Sequence, residues 1–154
     1  MATGPEPRWL SAVEQRAWRG WIDAARRIET ATERQLKDDS GLSSDDYEVM
    51  VRLSEAPDRS MRMSELATCV ANSPSRLSQR IDRMERAGLV CRLPCAHDGR
   101  VLHAHLTDEG YARLEAAAPG HVDEVRRQFV DRLNADEIEF LADILPRLAQ
   151  PPDG

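Results

Sequence analysis

The sequence predicts a mainly α-helical chain that carries one small β-hairpin. Three observations support this. Apolar residues recur three or four positions apart over most of the chain, the rhythm of a helix face. Capping residues stand where those runs begin, at Ser11, Ser43, Ser64, Ser73, Thr107 and Asn134. Two short stretches, Leu89–Leu93 and Val101–Leu106, read as strands about a turn at His97-Asp98-Gly99-Arg100. With 154 residues, 41% hydrophobic and 31% charged, the composition fits one globular domain with a moderate core rather than a disordered chain.

Residues 1–8, with two prolines and a glycine, read as a flexible arm. Ser11-Ala12-Val13-Glu14 is a capping box, in which serine and glutamate each satisfy a free amide of the other's turn. A long helix should run from there to about Lys37. Leu10, Val13, Ala17, Trp21, Ile28 and Leu36 mark its apolar side, widened by Trp18 and Ile22. That much apolar surface on one helix needs more partner than a single small domain supplies, which points to a second copy. Asp39-Ser40-Gly41 breaks the helix, and Leu42-Ser43 starts another with Asp46 placed for a second capping box. Tyr47, Met50 and Leu53 turn inward there, and Ala56-Pro57-Asp58 ends it. Met61–Met63 could form a short strand. Ser64 then caps a helix that buries Leu66, Ala67 and Val70, and Ala71-Asn72 makes the next turn. Beyond the hairpin, Thr107 caps a helix whose Leu114, Ala118, Val122, Val125, Phe129 and Leu133 keep their spacing as far as Asn134. Pro119-Gly120 should kink or break it. Asn134 caps a last helix bearing Ile138, Leu141, Leu145 and Leu148; Pro146 weakens its end, and 151–154 is a tail.

The stretch Ser73–Arg100 holds the candidate site. Ser73 caps a helix, Pro74 suits its first position, and Gly88 can take the left-handed conformation that ends it. Leu77, Ile81 and Met84 form a narrow apolar stripe. Ser75, Arg76, Gln79, Arg80, Arg83 and Arg86 make up the other side, and all can hydrogen-bond phosphates or base edges. The plainer reading is a solvated helix face in an arginine-rich protein, but Ser73, Ser75 and Gln79 join the arginines and the turn adds Arg100. The formal net charge of −6 argues against nucleic acid until its distribution is considered. Residues 73–100 hold six arginines and three acids, a local +3, which leaves −9 for the rest. Charges beyond roughly 8–10 Å are heavily screened at physiological salt, so the local sign decides, and an acidic body with a basic face orients the chain toward DNA.

These residues carry a family resemblance. Leu66 and Ala67 stand in the first helix of a pair, with Ser75 and Arg80 in the second. Gly88-Leu89-Val90, Asp98-x-Arg100 and Leu106-Thr107-x-x-Gly110 follow in order. The chain thereby resembles the winged helix-turn-helix of MarR-type bacterial transcription regulators, from Leu10 to Leu148. The resemblance implies one unit at 9–150, comprising a winged helix-turn-helix lobe at 42–106 and dimerisation helices at 9–38 and 107–149. It also implies a cytoplasmic homodimer on pseudo-palindromic double-stranded DNA, more a repressor than an activator. The recognition helix would enter the major groove with Ser73, Ser75, Arg76, Gln79, Arg80 and Arg83. Arg100 at the wing tip would reach a minor groove, with Asp98 bracing the turn. Leu10, Val13, Val125, Phe129, Leu133, Ile138, Leu141 and Leu145 would form the dimer contact. Trp18, Trp21 and Tyr47 could line a cleft for a small aromatic acid, although tryptophans at helical spacing also suit a core or interface. From a different class, the alternative is a helical dimerisation or partner-binding module whose winged helix has lost DNA affinity.

Other chemistries find less support. Cys91, Cys95, His97, His103 and His105 lie close in sequence, but zinc needs four convergent ligands, and Cys91-x3-Cys95 across Pro94 is a poor chelating spacing. No metal or other cofactor is expected. A cysteine-based redox regulator would resemble the peroxide-responsive branch of the family, whose reactive cysteine lies among the N-terminal helices. This chain has no cysteine before Cys69, which falls in an apolar-looking helix and reads as a small buried hydrophobe; Cys95 is the likeliest-exposed thiol of the three. No phosphate loop, HExxH or serine elbow is present, so an enzyme is not expected. Three cysteines fit a reducing compartment, and no apolar run approaches the roughly 18 residues of a membrane span.

The wing gives a test by sign. Arg100→Ala should lower DNA affinity and reduce the salt slope by about one unit per wing. Asp98→Ala should also weaken binding, although it removes a negative charge near phosphate, because the turn loses its brace. A salt series on one duplex measures both; tighter binding by Asp98→Ala would exclude the bracing role.

Overall fold

The computed structural model describes residues 7–70, 72–94 and 101–150. Most of the expected arm, Ala71, the tail and the hairpin tip with Cys95, His97, Asp98 and Arg100 lie outside the described residues.

Helix α1 (Ala12–Ser40) starts at the expected capping box: Ser11 Oγ accepts from the Glu14 amide at 3.3 Å, and the Glu14 carboxylate accepts from the Ser11 amide at 2.7 Å. It passes Lys37 and stops at Gly41, whose φ of 71° is the left-handed cap. Helix α2 (Ser44–Glu55) is capped by Ser43 Oγ, which accepts from the Asp46 amide at 3.1 Å. The reciprocal half of the expected second capping box does not form, because the Asp46 carboxylate turns to Arg80 instead. A tight turn at Pro57–Arg59 follows, with Asp58 and Arg59 both in the left-handed region. Arg59 anchors it: its guanidinium lies 3.8 Å from the Tyr111 ring centroid and donates to Asp108.

Strand β1 (Ser60–Arg62) leads directly into α3 (Met63–Cys69), so Ser64 lies inside that helix and is not its cap. Helix α4 (Pro74–Arg86) begins at Ser73 and Pro74 as expected. It ends in a Schellman motif, with the Leu89 amide on the Met84 carbonyl, the Gly88 amide on the Glu85 carbonyl, and Gly88 at φ 74°. Strands β2 (Val90–Pro94) and β3 (Leu102–Leu106) complete a three-stranded antiparallel sheet of order β1-β3-β2. Its registers pair Met61 with Ala104, and Val90 with Leu106.

Helix α5 (Asp108–Gln128) is continuous through Pro119, so of the expected kink or break the break does not occur. Packing on α1 outweighs the local penalty. A Cβ on Gly120 would meet Gln35 Nε2 at 3.1 Å, so the two helices lie close there, and Arg113 donates to the Ser40 carbonyl at 2.8 Å. After a single turn of 3-10 helix at Val130–Arg132, α6 (Ala135–Leu148) opens on a second capping box, Asn134 with Glu137, and continues past Pro146 to Leu148.

The core lies between the C-terminal end of α1, helices α2, α3 and α4, the sheet and the first half of α5. Leu36, Val49, Met50, Leu53, Leu66, Leu77, Ile81, Ala104 and Leu106 are fully buried in it. Cys69 is exposed, not buried as expected: it lies about 200° around the helix from Ala67, one of the two residues that α3 buries. Among the described residues, no helix is long and apolar enough to cross a membrane.

The first turn of α5 packs directly against the backbone at the end of α4. Thr107 Oγ1 accepts from the Gly110 amide at 2.9 Å and donates to the Gly88 carbonyl at 2.7 Å, while the Thr107 amide donates to the Leu89 carbonyl at 3.1 Å. A Cβ on Gly110 would sit 2.0 Å from the Leu89 oxygen, a backbone atom with no room to move. Gly110→Ala should therefore destabilise the chain by about 1–3 kcal/mol, by forcing this junction apart. Chemical denaturation at fixed protein concentration measures the loss; an unchanged midpoint would mean that the junction yields freely.

Candidate nucleic-acid interface

Helix α4 divides into three longitudinal zones. Leu77, Ile81 and Met84 seal it to the core. Ser73, Ser75, Arg76, Gln79, Arg83 and Arg86 lie on the opposite, exposed side. Three arginines thus share one outward face, and no carboxylate among the described residues pairs with them. Arg83 and Arg86 instead reach back to the carbonyls of Gln79 and Asp82, at 3.5 and 3.1 Å. This exposed face carries hydrogen-bond donors that can swing onto phosphate or a base edge.

The two flanks between core and solvent are occupied by ion pairs. On one flank Arg80 forks onto α2: one guanidinium nitrogen donates to Asp46 at 3.0 Å and the other to Asp45. Its side chain is only 13% exposed, so the expected outward-pointing Arg80 is not what the structure shows. Helical geometry explains the difference. Position 80 lies about 40° around from Arg76 and toward the core stripe, where α2 presents two acids. On the other flank Arg92 of β2 reaches Asp82 at 2.7 Å, Glu85, and the Ser78 carbonyl at 3.0 Å. Glu85 also accepts the Arg92 amide at 2.7 Å. Arg92 is thereby held in an internal ion pair.

The sequence marks Asp46 only as a capping residue and gives Asp45 no role. Two acids at a helix start are read as ordinary partners of the helix dipole, and nothing in the local pattern names a partner 34 residues away. A further contact fixes the turn that carries them: Glu33 of α1 accepts the Ser44 amide at 2.6 Å.

The aromatic trio does not converge. Trp18 and Trp21 are about half exposed on α1, whereas Tyr47 is buried with its ring centroid 4.5 Å from that of His121. Trp21 instead borders an open apolar groove of about 870 Å³ with Ile28, Val125, Phe129, Leu141 and Leu145. On the outer face of the sheet Cys91 stands opposite His105, but the described residues contain no cluster able to hold a metal ion.

The Tyr47–His121 contact has a pH signature. Burial lowers the His121 pKa below its ordinary 6.5 and raises that of Tyr47. The folded chain then holds fewer protons than the unfolded chain once pH falls below about 6.5, so stability should drop between there and about pH 5, above the carboxylate range. The slope from one such group is at most about 1.4 kcal/mol per pH unit. His121→Phe should flatten that part of the profile in urea titrations at several pH values. An identical slope in both proteins would remove His121 as its source.

Comparison with known proteins places this geometry. The family model described as "MarR family" matches residues 40–101, from the last residue of α1 to the residue before β3. The HTH-type transcriptional repressor YetL of Bacillus subtilis (strain 168) is 30% identical over 112 residues, which span 71% of this chain and 67% of that protein. Among solved structures, the MarR family transcriptional regulator Sco3205 of Streptomyces coelicolor, in complex with DNA, superposes with a TM-score of 0.90 at 43% identity, covering 97% of this chain and 95% of its own. AbsC, a MarR family transcriptional regulator from the same organism, gives a TM-score of 0.88 at 43% identity, covering 93% and 96%. These relatives are transcriptional regulators and not enzymes. The chain therefore belongs to the MarR family and is a DNA-binding transcriptional regulator.

Proposed function

We propose that the chain works as a homodimeric repressor that recognises a pseudo-palindromic operator and releases it on binding a small effector. The observation that carries the dimer is α6: none of its residues is buried within the chain, although Ile138, Phe140, Leu141, Leu145 and Leu148 recur along it. Leu10, Val13, Trp18, Val122 and Phe140 are exposed as well, while Val125, Phe129 and Leu133 line the open groove. Apolar faces that find no cover in their own chain are buried by a symmetry mate in a closed dimer. Two recognition helices related by that symmetry would meet half-sites about 10 base pairs apart, or a multiple of that.

On each half-site, Ser73, Ser75, Arg76, Gln79 and Arg83 would contact DNA from the exposed face of α4, with Asp98 and Arg100 serving at the wing. The repressor reading is supported by the similarity to YetL, a transcriptional repressor. An effector would act by favouring a spacing of the two lobes that no longer fits the half-sites. Trp21, which borders the apolar groove, is the member of the aromatic trio whose fluorescence would report a ligand there.

Light scattering on the purified full chain tests the assembly, with twice the chain mass expected at micromolar concentration; a monomer would exclude the homodimer. DNA fragments retained by the same protein, sequenced and returned to a binding assay, test the recognition. Arg76→Ala should then cost about 1–3 kcal/mol per half-site and relax preference at one position. Uniform weakening on all sequences would make Arg76 a phosphate contact.

A further inference from the structure

We infer that Arg80 is a positioning residue: held by Asp45 and Asp46, it sets the pose of α4 against α2, and it does not read a base. Three observations carry this. The guanidinium is committed, with each terminal nitrogen on a different carboxylate and only 13% of the side chain exposed. Its partners are anchored: the Asp46 amide caps onto Ser43, and the adjacent Ser44 amide is held by Glu33 of α1. The contact also joins α4 to α2 outside the core stripe, and with the Arg92 ion pairs on the other flank it opposes a roll of the helix. Leu77, Ile81 and Met84 form a narrow stripe about which α4 could roll, and a roll of a few degrees displaces Arg76, Gln79 and Arg83 together.

The cost of the opposite reading points the same way. For Arg80 to enter the groove, it would have to leave two carboxylates, 63% and 24% exposed, unpaired beside a polyanion. Arginine suits the clamp because its planar fork spans two acceptors, which a lysine ammonium cannot match. With two acids on one arginine, the cluster is net negative and offers phosphate no free charge.

The inference rests on the specific DNA binding proposed above. Its test uses the full-length chain and the duplexes that it enriches from a randomised pool, together with every single-base variant of the best duplex. Arg80→Met, and the double change Asp45→Ala with Asp46→Ala, should each weaken binding about tenfold. Each should leave the base preferences and the salt slope as they were. The three changes together should cost no more than either set alone, since they break the same contact. Asp45→Ala alone guards against a variant that fails to fold, because it alters a mostly exposed side chain. Simple electrostatics predicts tighter binding when that carboxylate is removed; a positioning role predicts weaker binding. The inference is overturned if Arg80→Met relaxes preference at one base pair while the acid variants do not. A salt slope reduced by one unit, additive losses, unchanged affinity, or tighter binding by Asp45→Ala would overturn it too. Failure to enrich any duplex would defeat the operator reading itself, before the role of Arg80 arises.

Discussion

The junction between the end of α4 and the start of α5 depends on a carbonyl, a hydroxyl and a missing methyl group. The Leu89 carbonyl takes the Thr107 amide, the Thr107 hydroxyl spans the Gly88 carbonyl and the Gly110 amide, and Gly110 lies where no side chain would fit. Four elements end or begin within these few residues: α4, β2, β3 and α5. Their mutual orientation is fixed by backbone atoms, which cannot adapt as side chains do. The recognition helix is thereby tied to the long helix that packs on α1, so its outer face keeps a defined direction relative to the rest of the chain.

Around that junction, charge is distributed by position. The arginines on the flanks of α4 are used internally, Arg80 toward α2 and the hairpin's Arg92 toward Ser78, Asp82 and Glu85. Those on the outer face keep their charge for solvent or a ligand. Composition alone cannot make that distinction, since every arginine counts +1 in a net charge of −6. The effective charge of the face follows from which guanidinium groups are already neutralised.

What was legible in the sequence was local. Ser11, Ser43, Ser73, Thr107 and Asn134 were identified as caps because a cap depends on residues within one turn. Gly88 was identified because a left-handed exit favours glycine. The buried stripe of α4 followed from period alone. The features that escaped, or were misplaced, depend on distant neighbours. Pro119 stays helical because α1 packs beside it, Tyr47 meets His121 instead of the tryptophans, and Arg80 finds two acids on another helix. Cys69 is a different case: most of its neighbours in sequence are apolar, but its angle on a short helix turns it outward. The interface was therefore readable as a surface, whereas the assignment of roles within it needed three dimensions.

The contact between the Arg92 amide and Glu85 has one more consequence. β2 is an edge strand, and in an antiparallel pair alternate amides point away from the neighbouring strand, open to recruit another chain. On β2 the positions of one parity are Val90, Arg92 and Pro94. The Arg92 amide is already taken by a carboxylate from α4, and Pro94 has no amide to offer. The outer edge is thus blunted along most of its length, which denies a template to strand addition and to edge-to-edge aggregation. The residues that brace α4 thus also blunt the open edge of β2 toward other β-strands.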